Sequence, residues 1–429
     1  MIRRLLLAAA LAGAVPALAQ APLPAARLTL AEALHRADRA AYANRGARAA
    51  ADAQRAQAAG ALRGVLPSVG ADASLLRTTD PINAFGFSLK QRGVSMASFA
   101  PAALNDPAAI SNYAAGITLQ QPLINTDAWA GLRSARAAAS AAQAQADWTR
   151  VTARADVVQA FYGAVLAHEH AGTMAAAALA AREHVRAAEL AANSGLVTRS
   201  DALLARVRAG DVEGQRLEAE SNARLARSRL ALLLGAPGDT AFTLPDTLPV
   251  AADLRVEHAD VTGRADITAA DKAREAARFD LRRAQASLLP RLNGFARYEW
   301  NAPDRPAAGK PMWTLGAVLS WSPFSGGSEL ADVRGAAARA RGADTQAEAA
   351  RAVAMLERQG ADEALRIVRR KYDGGIAAIS ELLDAAAANT QSRLMRSDAR
   401  FRLLAAAASR LRAWGGDPAT LASLDSDPR

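Results

Sequence analysis

The chain has 429 residues and no cysteine, which excludes disulfides, thiolate metal sites and cysteine nucleophiles. Its net charge is +10, but the basic residues are spread among Asp and Glu along alanine-rich stretches, and aromatics make up only 5%. That distribution describes solvated helix faces rather than a nucleic-acid groove or a base-stacking platform. The 51% hydrophobic content is inflated by alanine, which favours long, closely packed helices over one thick globular core.

In chain order, residues 1–19 read as a secretory signal peptide. Arg3 and Arg4 form the basic region, Leu5 to Val15 the apolar region, and Ala17-Leu18-Ala19 a small-x-small cleavage site. The expected mature chain starts at Gln20 and is exported; without a cysteine it carries no N-terminal lipid anchor. No other segment reaches the ~18 uncharged apolar residues of a membrane helix, so any crossing of a bilayer must be made by β-strands.

One unit is written twice. The first repeat, 20–235, opens with a helix from about Ala31 to Arg63. A strand over 67–78 follows, with Val69, Ala71, Ala73 and Leu75 alternating with Ser68, Gly70, Asp72 and Ser74. Residues 79–112, with Pro81, Phe85, Gly86, Phe87 and Pro101, are long for a hairpin connection and fit an extracellular cap. A second strand covers 113–122. The stretch 127–193 contains no proline and predicts a helix of roughly 100 Å at 1.5 Å per residue. Ser194-Gly195-Leu196 then turns the chain into a return helix, 196–235, closed by Gly235. A linker over 236–263 leads to the second repeat, 264–416. That repeat has strands over 290–301 and 312–322, a helix over 328–373, a Gly374-Gly375-Ile376 turn and a return helix over 376–415, before a tail over 417–429. In its strands Leu292, Gly294, Ala296, Tyr298 and Trp300, then Trp313, Leu315, Ala317, Leu319 and Trp321, alternate with more polar neighbours. Such alternation places one face in an apolar medium and the other in water. An exported chain with ~100 Å helices and four strands of bilayer length fits a tube that crosses one membrane and reaches through the space beneath it. A periplasmic coiled-coil scaffold or adaptor without a pore is the alternative.

The two repeats differ in the length of their long helices. Pro122 and Pro323 stand 201 residues apart, but the turn glycines Gly195 and Gly375 stand 180 apart. The second long helix is therefore 21 residues short, a loss expected near Met355 to Ala364, where Gly360 interrupts the pattern. Three heptads can be lost without changing packing phase, but length cannot be kept. The second hairpin ends short, or its return helix bends, or the copy is damaged, and a distorted second repeat is expected.

No catalytic constellation or phosphate loop stands out, so neither enzymatic activity nor a cofactor is expected. His168, Glu169 and His170 are a poor metal site, because residues two apart on a helix face different sides.

The duplicated unit resembles the TolC-type outer-membrane efflux family over nearly the whole mature chain. The resemblance is carried also by the joints Gln121-Pro122-Leu123 and Ser322-Pro323-Phe324-Ser325-Gly326-Gly327, and by the turn Ser194-Gly195-Leu196-Val197-Thr198. It implies a mainly α fold with a small β part: a homotrimer whose long coiled-coil helices form an α-barrel topped by a 12-stranded transmembrane β-barrel, four strands per chain. It implies an outer-membrane location, contact with lipid, no nucleic acid, and partnership with a periplasmic adaptor protein and an inner-membrane pump. The turns Gly195, Leu196, Val197, Thr198 and Gly374, Gly375 would dock the adaptor. Asp201 and Tyr372 would latch a periplasmic gate, and Glu381 and Asp384 would line it as acidic rings. Ala377 departs from the family's frequent Arg there, which weakens the expected latch. The cargo, whether drug, metal or polypeptide, is not written in these features.

Overall fold

The computed structural model describes residues 28–240, 242–249, 263–305, 309–373 and 385–425. The expected signal peptide and the second turn, with Gly374, Gly375, Glu381 and Asp384, lie outside the described residues. In order, the elements are α1 (Leu30–Ala40), α2 (Tyr42–Gly60), β1 (Ser68–Thr78), α3 (Pro81–Lys90), α4 (Pro101–Asn105), β2 (Ile110–Ile124), α5 (Thr126–Asn193), α6 (Arg199–Leu233), α7 (Ala265–Ala286), β3 (Arg291–Ala302), β4 (Lys310–Ser320), α8 (Ser328–Asp373) and α9 (Ala385–Trp414). The chain divides into two compact units, one formed by 1–45, 150–259 and 357–429, the other by 46–149 and 260–356.

The second unit holds the sheet and the alanine-rich helix segments nearest it. Buried Ala340, Ala347 and Ala354 recur every seven residues on α8, with Ala336 four residues earlier. That is coiled-coil spacing, and methyl-sized knobs let neighbouring helices approach closely. At the start of α7, Arg264 is 1% exposed; its guanidinium pairs with Asp266 at 2.7 Å and lies 4.6 Å from the Trp148 ring centre. Burying that charge is tolerated because it is both paired and stacked.

The first unit holds the larger apolar core, built from Leu30 and Leu34 of α1, Phe161 and Tyr162 of α5, Leu230 of α6 and Leu404 of α9. The segment expected as a linker adds to it. Leu244 and Leu248 are buried, and the Leu28 N–H donates to the Thr243 carbonyl at 2.8 Å. The expected C-terminal tail is a 3-10 helix, Pro418–Asp425, with Leu421 in the same core. Arg154 ties these parts together: its guanidinium forks onto Asp38 at 2.5 and 3.1 Å and also pairs with Asp417.

The helix expected over 31–63 is two helices. Ala41 breaks it with an extended backbone, φ −53° and ψ 131°, and the Ala37 carbonyl, which accepts the Ala41 N–H at 3.0 Å, also accepts the Asn44 side-chain amide at 3.0 Å. The cause is tertiary, since alanine is the best helix former. Gly235 packs directly on the Ala40 carbonyl, so the chain must turn there.

Helices α5, α6 and α9 end alike. The N–H of Gly195 bonds the Ala192 carbonyl and that of Leu196 the Ala191 carbonyl; Gly235 with Ala236, and Gly415 with Gly416, repeat the pattern. All three glycines have φ between 73° and 76°. These are Schellman closures, which place glycine at the left-handed position.

Helix α8 has 46 residues against 68 for α5. Asp362, which stands 201 residues after core residue Phe161, accepts from Arg410 at 2.7 Å, and Arg410 stands 180 residues after core residue Leu230. At that level α8 still keeps the offset set by the joints, and α8 is continuous from Met355 to Ala364. The missing length therefore falls beyond Asp362, on the side of the second turn, rather than near Gly360.

Two glycine substitutions separate strain from crowding. Gly195→Ala meets only the left-handed backbone and should cost about 1–2 kcal/mol, because nothing lies within 4 Å of its new methyl. Gly235→Ala should cost measurably more, since its methyl collides with the Ala40 backbone. Thermal unfolding of the two variants checks the order; equal losses would show that the Gly235–Ala40 approach is not a constraint.

Candidate functional site

The four strands form one antiparallel sheet in the order β1-β2-β3-β4. Its register aligns the alternation of all four strands. Ala71, Ile117, Tyr298 and Trp313 stand in one row, and Val69, Leu119, Ala296 and Leu315 in another. The result is one continuous apolar face. Val69, Trp313 and Leu315 are each 72–73% exposed, an arrangement no soluble sheet keeps without a cover. Tyr113, Tyr298, Trp300 and Trp313 gather toward one end of the sheet, and Trp321 stands just past the other end of β4. Aromatics at both ends of an apolar band match the two girdles of a membrane barrel.

The opposite face is polar. Arg297 of β3 lies across β2 to reach Asp72 of β1 at 2.9 Å; on the way it donates to Thr118 at 3.0 Å, and it pairs with Glu299 at 2.8 Å. Gly116 leaves room for this crossing, since a methyl there would stand 3.1 Å from the guanidinium. This network could not be anticipated from sequence. Alternation put Asp72, Thr118 and Arg297 on the same kind of face, but which residues stand opposite depends on register.

Strand β2 is longer than expected, fifteen residues including Gln121 and Pro122, and its register with β3 shifts between Pro122 and Ile124. Proline has no N–H to give to the ladder, so the bulge falls where it does least harm. Among the described residues, the outer edges of β1 and β4 have no partner strand. Among the described residues no helix is long and apolar enough to cross a membrane.

The turn between α5 and α6 is the other singular surface. Leu196 is 79% exposed and Val197 39%. Thr198 caps α6 through a reciprocal box. Its hydroxyl accepts from the Asp201 N–H at 3.2 Å, and both the hydroxyl and the backbone N–H of Thr198 donate to Asp201 Oδ2, at 2.8 and 3.0 Å. These bonds hold the Asp201 carboxyl below the usual carboxylate range. Asp201 therefore has a helix-capping role independent of any latch. Tyr372 lies in the last turn of α8; Glu381, Asp384, Gly374 and Gly375 are outside the described residues.

His168 stands 3.7 Å from Asp246, His170 stands 3.8 Å from Asp398, and Glu169 accepts from Ser397 at 2.5 Å, so the three side chains serve different neighbours.

The profile of the outer membrane efflux protein family matches residues 45–236. The chain is 26% identical over 244 residues to the alkaline protease secretion protein AprF of Pseudomonas aeruginosa, a match covering 53% of this chain and about half the length of that relative. Among solved structures, it superposes on the CmeC outer membrane channel of Campylobacter jejuni with a TM-score of 0.72 at 16% identity, covering 90% of this chain and 85% of that one. It likewise superposes on the outer membrane protein VceC of Vibrio cholerae with a TM-score of 0.68 at 20% identity, covering 91% and 96%. Residues 45–236 therefore match the outer membrane efflux protein family, and the described chain has the fold of these outer membrane channels.

Proposed function

We propose that this chain is the outer-membrane channel of a tripartite efflux or secretion system, conducting substrates passively from the periplasm or a pump to the exterior. The observation that carries this reading is the sheet: one face apolar and bare, the other charged and cross-linked, with two edges open. Three copies close the edges into a 12-stranded barrel. The apolar face then meets lipid, and the Asp72–Arg297 face lines a wet lumen. The α-helices continue the conduit through the periplasm, and a periplasmic adaptor with its inner-membrane pump docks on the turns at Gly195–Thr198 and Gly374–Gly375. The family match over 45–236, the fold and the exposed Leu196 support this reading.

Asp201 and Tyr372 latch the periplasmic mouth, and Glu381 and Asp384 stack as acidic rings that favour cations. Asp201 is kept ionised by its cap. Its folded pKa is depressed, so its contribution is full above the unfolded value near ~4 and is lost as pH falls through the lower folded value.

In planar bilayers the purified protein should give discrete, cation-selective conductance steps; their absence would contradict the proposal. Asp201→Ala or Tyr372→Phe should raise closed-state conductance, each removing one side of the latch hydrogen bond. Thr198→Ala breaks the same helix cap but keeps the carboxylate, and should leave conductance unchanged. An equal rise in Thr198→Ala would assign the effect to fraying of α6 and reject the latch. Glu381→Ala with Asp384→Ala should lower the cation-to-anion permeability ratio; an unchanged ratio would remove both residues from the axis.

A further inference from the structure

We propose that the connection between β1 and β2 is a strap across the channel's outer exit that limits the size of what leaves; this rests on the reading of the polar face as the lumen. Strands β1 and β2 are neighbours, so their connection has to span only ~4.8 Å. Instead it builds α3 and α4. Helix α3 starts cleanly, with Asp80 Oδ2 accepting the Asn83 N–H at 3.0 Å and Pro81 in the first turn.

Its far end crosses the sheet. Three consecutive residues reach three different strands. Lys90 pairs with Glu299 of β3 at 3.2 Å, the Gln91 amide donates to Ser111 O at 2.8 Å and Asn112 Oδ1 at 2.9 Å on β2, and Arg92 donates to the Pro311 carbonyl of β4 at 3.3 Å. Asn112 in turn donates to Asn301 Oδ1 at 2.8 Å, and these two amides are 2% and 1% exposed. By alternation Glu299 and Asn301 share the face of Arg297, and Asn112 shares that of Thr118. The strap therefore lies over the polar face.

The crossing is held against a local cost. The Arg92 N–H bonds Leu89 O and the Gly93 N–H bonds Ser88 O, a Schellman closure with Arg92 at the position that favours glycine. Arg92 has φ 55° and is the one non-glycine among the described residues with positive φ. A left-handed arginine persists only where its surroundings fix it, and such residues gather at clamps and switches. The Phe85 and Phe99 rings meet edge to face at 5.7 Å, joining the two halves of the strap, while Ile82 and Met96 stay more than 80% exposed. Three such straps around one axis would narrow the exit with an apolar rim.

The chain has no cysteine, so single thiols report access cleanly. Thr118→Cys lies below the strap and Met96→Cys lies on it. In intact cells, a maleimide carrying a long polyethylene glycol should label Thr118→Cys at least about tenfold more slowly than Met96→Cys, while a small charged thiosulfonate labels both readily. Lys90→Ala/Gln91→Ala/Arg92→Gly should close that gap to within about twofold. Lys90→Glu, which sets like charges against each other at Glu299, should shift it the same way and covers a triple variant that fails to reach the membrane. Equal bulky labelling of Thr118→Cys and Met96→Cys with the native strap would overturn the strap. Rapid aqueous labelling of Leu315→Cys would instead strike the channel reading, because Leu315 lies on the face assigned to lipid.

Discussion

A strand edge cannot be left open in hydrocarbon. Every backbone N–H and C=O there lacks water, and each unsatisfied group costs several kcal/mol. The described residues make a four-stranded sheet with two open edges and a bare apolar face. Both features are liabilities for a single copy in water, and the proposed closure of copies into a ring within a bilayer would remove both at once. Strand length follows from the same constraint, since eleven to fifteen tilted residues cross a hydrocarbon core. The charge network fits the same proposal: Arg297, Asp72 and Glu299 share the polar face, which would line the lumen of such a ring.

The helical part answers a different demand. Long helices gain little from propensity and depend on packing. Near the sheet the packing units are alanines at heptad spacing. In the other unit they are larger side chains gathered around Phe161 and Leu404, with the inter-repeat segment and the C-terminal 3-10 helix closing over them. Glycine turns define where helices stop, and Gly235 also sets where α1 must break. The difference between α5 and α8 is concentrated beyond Asp362, so the long helices match in the core and diverge toward the second turn, while the connection carrying α3 and α4 sets the first hairpin apart from the second.

Much of this was legible in the sequence because it is local. Alternation in two media marked all four strands, proline-free alanine runs marked α5 and α8, and glycines at equal offsets marked the helix ends. What was not legible depends on contacts far apart in the chain. No propensity separates α1 from α2 at Ala41; the backbone of Gly235 does. The Arg297–Asp72 pair spans 225 positions and requires the register. The connection between β1 and β2 did carry readable signals, Asp80-Pro81 and Ala100-Pro101 at the starts of α3 and α4, yet reads only as a long extracellular cap when judged by length alone. The gate residues follow from family likeness and are the part of the site with no geometry behind them.

The central claim is that β1 of one copy pairs with β4 of the next. Paired cysteines on the same apolar face test it directly: Ala71→Cys combined in turn with Trp313→Cys, Leu315→Cys or Ala317→Cys, oxidised in native membranes and separated under denaturing conditions. Closure predicts that at least one pair yields covalent dimers and trimers that revert to monomer on reduction. Only monomer across all three pairs, in protein that reaches the outer membrane, would contradict it.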